Sequence, residues 1–241
     1  MIDIDNKTVA EIVTENIKTA DIFKKNGIDF CCGGNVSVKS ICEKKGVDYN
    51  QIKEDLSNLT TGREKNQLDF NSWDLDFLSD YIINTHHKFV TESSDIIIQY
   101  SDKVANVHGH HYTEVVEINK LFHDIAAELN QHMHKEEMIL FPYIKQLSEA
   151  KKAGEKMDAP PFGTIQNPIN MMEAEHDGAG DIIHKIAELT NNFTPPEDAC
   201  NTFRALYASL EEFQNDLFQH IHLENNILFP KAIRLEKEIL S

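Results

Sequence analysis

The strongest constraint on this chain's fold is a motif that occurs twice. Residues 131–145 read QHMHKEEMILFPYIK and residues 219–233 read QHIHLENNILFPKAI, identical at eight of fifteen positions at an offset of 88 residues. Each copy holds a His followed four residues later by a Glu, His132/Glu136 and His220/Glu224. On a helix, positions four apart lie one above the other on the same face. Each copy therefore presents an imidazole and a carboxylate in one direction. Two such pairs facing each other inside a helical bundle make a metal site.

The apolar spacing around the motifs alternates three and four, the seam of an antiparallel bundle. In the last helix the seam runs Phe203, Leu206, Leu210, Phe213, Leu217, His220, Glu224, Ile227; in the second it runs Ile118, Phe122, Ile125, Leu129, His132, Glu136, Ile139. The first helix gives Leu75, Ile82, His86, Phe89, Ile96, and the third gives Ile169, Met172, His176, Ile183, Ile186. Four histidines and two glutamates thus stand where the pattern asks for Leu or Ile. Burying an ionised Glu without a partner costs several kcal/mol, and a cation removes that cost. The register supports convergence: with one turn around residues 106–112 and another around residues 191–196, His86 faces His132 and His176 faces His220. The two halves read as a duplicated helical hairpin.

The donor set selects the metal. Four imidazoles and two carboxylates are too many for one tetrahedral zinc. They suit two non-haem iron ions with an oxo or hydroxo bridge, Glu136 and Glu224 spanning both and the imidazoles dividing two per ion. Ferritin-type sites are richer in carboxylates and use Glu-x-x-His spacing. His134 and His222 also repeat but sit two residues past a seam position, and they read as surface, as do His87, His110, His111, His123 and His184. His108 lies about 33 Å along a straight helix from His86 and is outside the site. Glu128, one turn before His132, and Glu175, beside His176, either line a path and orient a ligand or form surface ion pairs. Pro142 and Pro230 should bend or end their helices.

The chain divides by histidine and charge. All 12 histidines lie at or beyond His86, and most of the net charge of −17 lies beyond Thr61. The expected organisation is a small helical domain over residues 1–60, a linker over 61–70 with its polar stretch TTGREKNQ at 60–67, and a four-helix bundle over 71–241. In the first domain Thr8 can cap a helix through Ile12 and Val13, a second helix ends at Asn26-Gly27, and a third covers about residues 37–45. Cys31-Cys32-Gly33-Gly34 forms a turn between them. These cysteines are either small buried packing groups or an accessible thiol pair for metal, NO or redox contact. Cys42 and Cys200 read as packing residues. The negative charge argues against nucleic acid and anionic membrane as partners. No run is long and apolar enough for a membrane helix, and MIDIDNKTV has no basic region followed by an apolar run, so a cytoplasmic protein is expected.

Together these residues resemble the repair-of-iron-centres family, bacterial di-iron proteins that help restore iron–sulfur clusters damaged by nitric oxide or peroxide. DFCCGG at residues 29–34 is similar to that family's N-terminal signature; HMHKEEMILFP, EAEHDGAG and HIHLENNILFP are similar to its hemerythrin-like domain. The resemblance implies an all-α chain with a hemerythrin-like bundle. It makes His86, His132, Glu136, His176, His220 and Glu224 the iron ligands and gives Cys31 and Cys32 a thiol, redox or delivery role. The adjacent histidines of THHKF leave His86 and His87 in competition, and the seam favours His86. Damaged iron–sulfur proteins, and small ligands such as NO or O₂, are the expected partners; a homodimer stays open. Iron donation or NO removal is the primary reading. An NO-reducing di-iron enzyme, or an O₂/NO-binding sensor, is the alternative, and no catalytic residue is assigned.

Overall fold

The protein is seen in a computed structural model that describes residues 4–61 and 68–240. Among the described residues there are helices and turns but no strand, only an isolated bridge between Thr8 and Ser37. Four short helices come first: α1 Val9–Glu15, α2 Ala20–Lys25, α3 Val38–Lys45 and α4 Tyr49–Thr61. Thr8 closes a capping box with Glu11 at the start of α1. Ser37 caps α3, which ends on Gly46 in the left-handed conformation (φ 68°). Helix α4 is an addition to the sequence reading. It carries Ile52 and Leu56 to the core and runs through Thr61, into the span expected as linker; residues 62–67 lie outside the described residues.

The bundle follows as four long helical rods. The first joins α5 Leu75–Ile82 to α6 Lys88–His108; the second joins α7 Glu114–Lys135 to α8 Phe141–Ala153. The third is α9 Gln166–Leu189, and the fourth joins α10 Asn201–Leu223 to α11 Phe229–Leu240. Helix α6 packs against α7 and α10, and α7 against α9. The hairpin turns fall where the sequence placed them. Gly109 ends the first because a Cβ there would sit 2.4 Å from the Ala105 carbonyl. In the second, Asn191, Asn192 and Phe193 all take positive φ. No helix among the described residues is long and apolar enough to cross a membrane.

Three rods contain one π-helical turn, at Ile83–His87, Glu136–Leu140 and Glu224–Leu228. Each turn closes on a bond from the N–H five residues ahead: Lys88 to the Ile83 carbonyl, Phe141 to Glu136, Phe229 to Glu224. In the last two, a proline follows at once. Pro142 and Pro230 lack the donor that an unbroken α-helix needs there, and the wider turn takes up the mismatch. Neither proline ends its helix, contrary to one expectation from sequence.

The extra residue also moves the seam. Beyond Ile83–His87 the buried positions are Val90, Ile97 and Val104, one residue past the expected Phe89 and Ile96; Ile96 is 48% exposed. Beyond Glu136 the seam passes to Leu140, Phe141 and Ile144, and Ile139 turns outward, 50% exposed.

The apolar core forms two clusters. One joins the N-terminal helices to the upper bundle, from Ile12 and Phe23 to Phe122, Phe213 and Leu217. The other fills the lower bundle, with Leu78, Ile82, Phe141, Ile169 and Phe229. The polar layer lies between them.

Candidate metal centre

Helices α7 and α10 deliver the two repeated motifs, α9 delivers His176, and the π turn at Ile83–His87 delivers the remaining imidazole. Two groups of ligating atoms form, each within a span of 4.8 Å: His87, Glu136, His220 and Glu224, and His132, Glu136, His176 and Glu224. Both glutamates belong to both groups. All six side chains are buried, and both glutamates are fully enclosed.

The imidazoles point Nε2 inward. His87 and His132 each aim Nε2 at Glu136 Oε2 from 3.3 Å. His176 Nε2 lies 3.1 Å from Glu224 Oε2 and 3.0 Å from His132 Nε2. His220 Nε2 lies 3.0 Å from Glu224 Oε1. Only the His220–Glu224 Oε1 and His176–His132 contacts are aligned as hydrogen bonds; Glu136 Oε1 and Oε2, Glu224 Oε2 and His87 Nε2 have no aligned partner. Buried polar atoms nearly always find a partner. A set of donors converging on common points, with lone pairs left over, fits a cation.

Three of the four opposite ring nitrogens are held from outside; His220 Nδ1 has no aligned partner among the described residues. His87 Nδ1 meets Glu137 Oε1 at 2.8 Å, His132 Nδ1 meets Glu175 Oε2 at 2.9 Å, and His176 Nδ1 meets Asn225 Oδ1 at 2.8 Å. An acceptor on Nδ1 fixes the tautomer that leaves Nε2 free for a metal. The duplication extends to this layer: Glu137 and Asn225 each directly follow a central glutamate.

The sequence placed His86 at this layer and His87 at the surface. The structure buries both and brings His87, not His86, to the carboxylates. The π turn carries one residue more than an α turn, so His87 reaches the carboxylates. His86 remains buried but turns its Nδ1 to Asp216 Oδ1 at 2.9 Å and stacks on His220 with ring centroids 5.6 Å apart. Of the two uncertain acids, Glu175 orients His132 and also pairs with Lys135. Glu128 is exposed and lines, with Glu175 and Lys135, a cleft of about 330 Å³ that reaches His132.

The layer's charges are mutually dependent. Burial pulls His87 and His132 down, but the carboxylates of Glu136 and Glu224 outweigh it and push them up to about 10 and about 9. Burial would raise both glutamates, and repulsion from Glu224 would raise Glu136 further, yet the surrounding imidazoles hold both below the usual carboxylate range. Burial leads in lowering His220. Protons therefore stand in for a cation when none is bound.

His222, also read as surface, is fully buried. Its Nδ1 lies 3.4 Å from the Phe30 carbonyl and 3.1 Å from Asn226 Nδ2, and its ring packs edge-on against Phe30. Burial lowers it to about 4, so it stays neutral. The N-terminal helices cover it, a contact that no bundle periodicity could reveal. Asn226 also donates to the Cys31 carbonyl at 3.1 Å. The π turn Glu224–Leu228 thus carries a cluster carboxylate, the acceptor for His176 and an anchor for the cysteine loop in three successive residues.

That loop is built on Asp29. Its Oδ1 accepts from the Cys31 and Cys32 amides at 2.8 and 3.2 Å, and its Oδ2 from Gly33 at 2.8 Å. Gly34 follows because a Cβ there would fall 2.5 Å from the Phe30 carbonyl. Cys31 is buried and Cys32 half-buried; both are free thiols. The expected accessible pair is thus accessible mainly through Cys32. The hydrogen bond with Cys32 and burial raise the Cys31 thiol well above its ordinary value. Cys42 is buried as expected, whereas Cys200 is exposed, its Sγ 3.3 Å from His108 Nε2.

Comparison with known proteins agrees with this arrangement. Residues 78–232 match the model of the hemerythrin HHE cation binding domain, and residues 5–60 match a domain of unknown function, DUF542. The iron-sulfur cluster repair proteins YtfE of Yersinia pestis (strain Pestoides F) and Yersinia pseudotuberculosis serotype O:1b (strain IP 31758) are each 36% identical over 234 residues, 97% of this chain and 100% of theirs. This chain belongs to the YtfE family of iron-sulfur cluster repair proteins. The buried His/Glu cluster fits a metal site, and the hemerythrin-like cation-binding domain implies iron.

Proposed function

We propose that the layer holds two iron ions and that the protein serves the repair of iron–sulfur clusters damaged by nitrosative or oxidative stress. His87 and His220 would hold one ion, His132 and His176 the other, with Glu136 and Glu224 between them. The observation that carries this reading is the sharing of both glutamates by the two groups of imidazoles, with both Glu136 oxygens left without an aligned partner. Iron bound there would supply an exchangeable ferrous centre able to take a small ligand such as NO or O₂. The chain's own part is to hold the His87, His132 and His176 imidazoles by their Nδ1 acceptors, to keep both carboxylates ionised and to exclude bulk water. The cleft at His132, walled by Glu128, Glu175 and Lys135, is the route by which an ion or small ligand would reach the layer. Cys31 and Cys32 would act in delivery or redox exchange. The targets are iron–sulfur proteins, as the relatives' name indicates, and the setting is the cytoplasm.

Metal analysis of protein prepared without oxygen, followed by reactivation of a damaged cluster protein, tests the reading. Two irons per chain are expected. Glu136→Ala or Glu224→Ala should lower iron far more than His108→Ala or His134→Ala, and should abolish reactivation. Equal iron loss in all four variants would refute the ligand set.

A further inference from the structure

A second group of metal-ligating side chains lies outside the bundle layer. Asp29, Cys31 and Cys32 bring ligand atoms within 4.8 Å of one another. The Cys31 and Cys32 sulfurs are 3.8 Å apart. That is too long for a disulfide, whose sulfurs are about 2.05 Å apart. It matches the bite of one tetrahedral ion: two thiolates each about 2.3 Å from a metal stand about 3.8 Å from each other. The loop holds this spacing without a metal: Asp29 accepts from the Cys31, Cys32 and Gly33 amides, Asn226 donates to the Cys31 carbonyl, and the Cys31 thiol donates to Asp29 Oδ1 at 3.1 Å and to Cys32 Sγ.

The pair faces a cleft of about 350 Å³ whose far wall is α9, presenting Asp177, Asp181 and His184. Those three are spaced four and three apart, so they share one helical face. An ion seated on the two sulfurs thus looks across the cleft at an imidazole and two carboxylates. Asp29 is already engaged with backbone amides and with the Cys31 thiol and is the loop's positioning residue.

The geometry points to a mononuclear site for a thiophilic divalent cation of the Fe(II) or Zn(II) class, with Cys31 and Cys32 as thiolate ligands and His184 with Asp181 completing it from α9. Soft sulfur ligands select such ions over Mg²⁺ and Ca²⁺. Binding forms two metal–sulfur bonds, and the two thiol protons pass to solvent. The site stands next to the bundle layer, since Asp177 directly follows His176 in α9. It does not depend on which metal that layer holds.

The test uses the full chain with its iron bound, titrated anaerobically with Co²⁺. A thiolate-to-cobalt charge-transfer absorption should grow to saturation at one equivalent, and Zn²⁺ should bleach it. Cys32→Ser should abolish it, and His184→Ala should weaken cobalt binding at least tenfold. Iron content should stay constant in every case. Cys32 is half-buried and His184 exposed, so neither change threatens the fold; Cys31→Ser serves as a second check on the sulfur pair. Absence of the band in the wild type, its persistence in the cysteine variants, or cobalt uptake only with release of iron would overturn the site. An unchanged affinity in His184→Ala would overturn its far wall. Iron content reports on the bundle layer and the band on the thiols, so failure of one assignment is distinguishable from failure of the other.

Discussion

His86 and His87 show how finely a buried layer discriminates between neighbours. Both are enclosed, both carry an acceptor on Nδ1, and only His87 aims Nε2 at the carboxylates. If the layer holds iron, His87→Ala removes a ligand, whereas His86→Ala removes a ring stacked on His220 and a partner of Asp216. The first should cost at least half of the bound iron. The second should retain iron at saturation and weaken its affinity by about 10–100-fold, the usual effect of losing a residue that orients a ligand. Metal analysis after dialysis against a graded chelator measures both; full iron in His87→Ala would remove that residue from the ligand set. Most of the layer could be read from the chain because a His and a Glu at seam positions contradict the pattern around them. His87 could not, since an unbroken 3.6-residue period puts it outside. His222 could not either, because its cover comes from Phe30 and Thr14, 192 and 208 residues away in sequence.

At the scale of the helices, the π turns are what periodicity missed. The α9 seam, which has no such turn, follows the sequence period from Ile169 to Ile186. The α6 seam lies one residue past the sequence period from Phe89 onward, because the extra residue in Ile83–His87 precedes it. A direct consequence can be measured. Deleting exposed Asn84 should convert the π turn to an α turn while α5 and α6 keep their packed faces. Deleting exposed Glu92 instead removes a residue from a regular α segment. It rotates one side of α6 by about 100° against the other and parts Val90 from Ile97 and Val104. Circular dichroism should show a cooperative melt for the Asn84 deletion and a collapsed or absent one for the Glu92 deletion. Equal damage from both would mean that the π turn is not a removable insertion but part of what holds α5 and α6 in register.

Over the whole molecule, the polar layer and the continuous upper core make opposite demands. The layer separates two apolar clusters and in the absence of metal rests on protonated His87 and His132 against ionised Glu136 and Glu224. A cation satisfies the same lone pairs and binds only the folded arrangement, so it adds stability by linkage. Removal of the metal should lower the melting temperature by several degrees; coincident curves would show that the protonated layer is fully self-sufficient. The upper cluster runs without a break from Ile12, Phe23 and Phe30 to Phe213, Leu217 and Phe218. The short N-terminal helices are too few to bury a core alone and rely on that contact. Although histidine and charge distribution mark them off in the sequence, they should not melt as a separate unit. Alkylation of half-buried Cys32, followed through a denaturant titration, should track the loss of bundle helicity in a single transition. His222→Ala, which removes a buried ring between Phe30 and α10, should lower the stability of that joint transition by about 2–4 kcal/mol. Cys32 becoming reactive at lower denaturant than the bundle unfolds, in the wild type, would show instead that the N-terminal helices detach on their own.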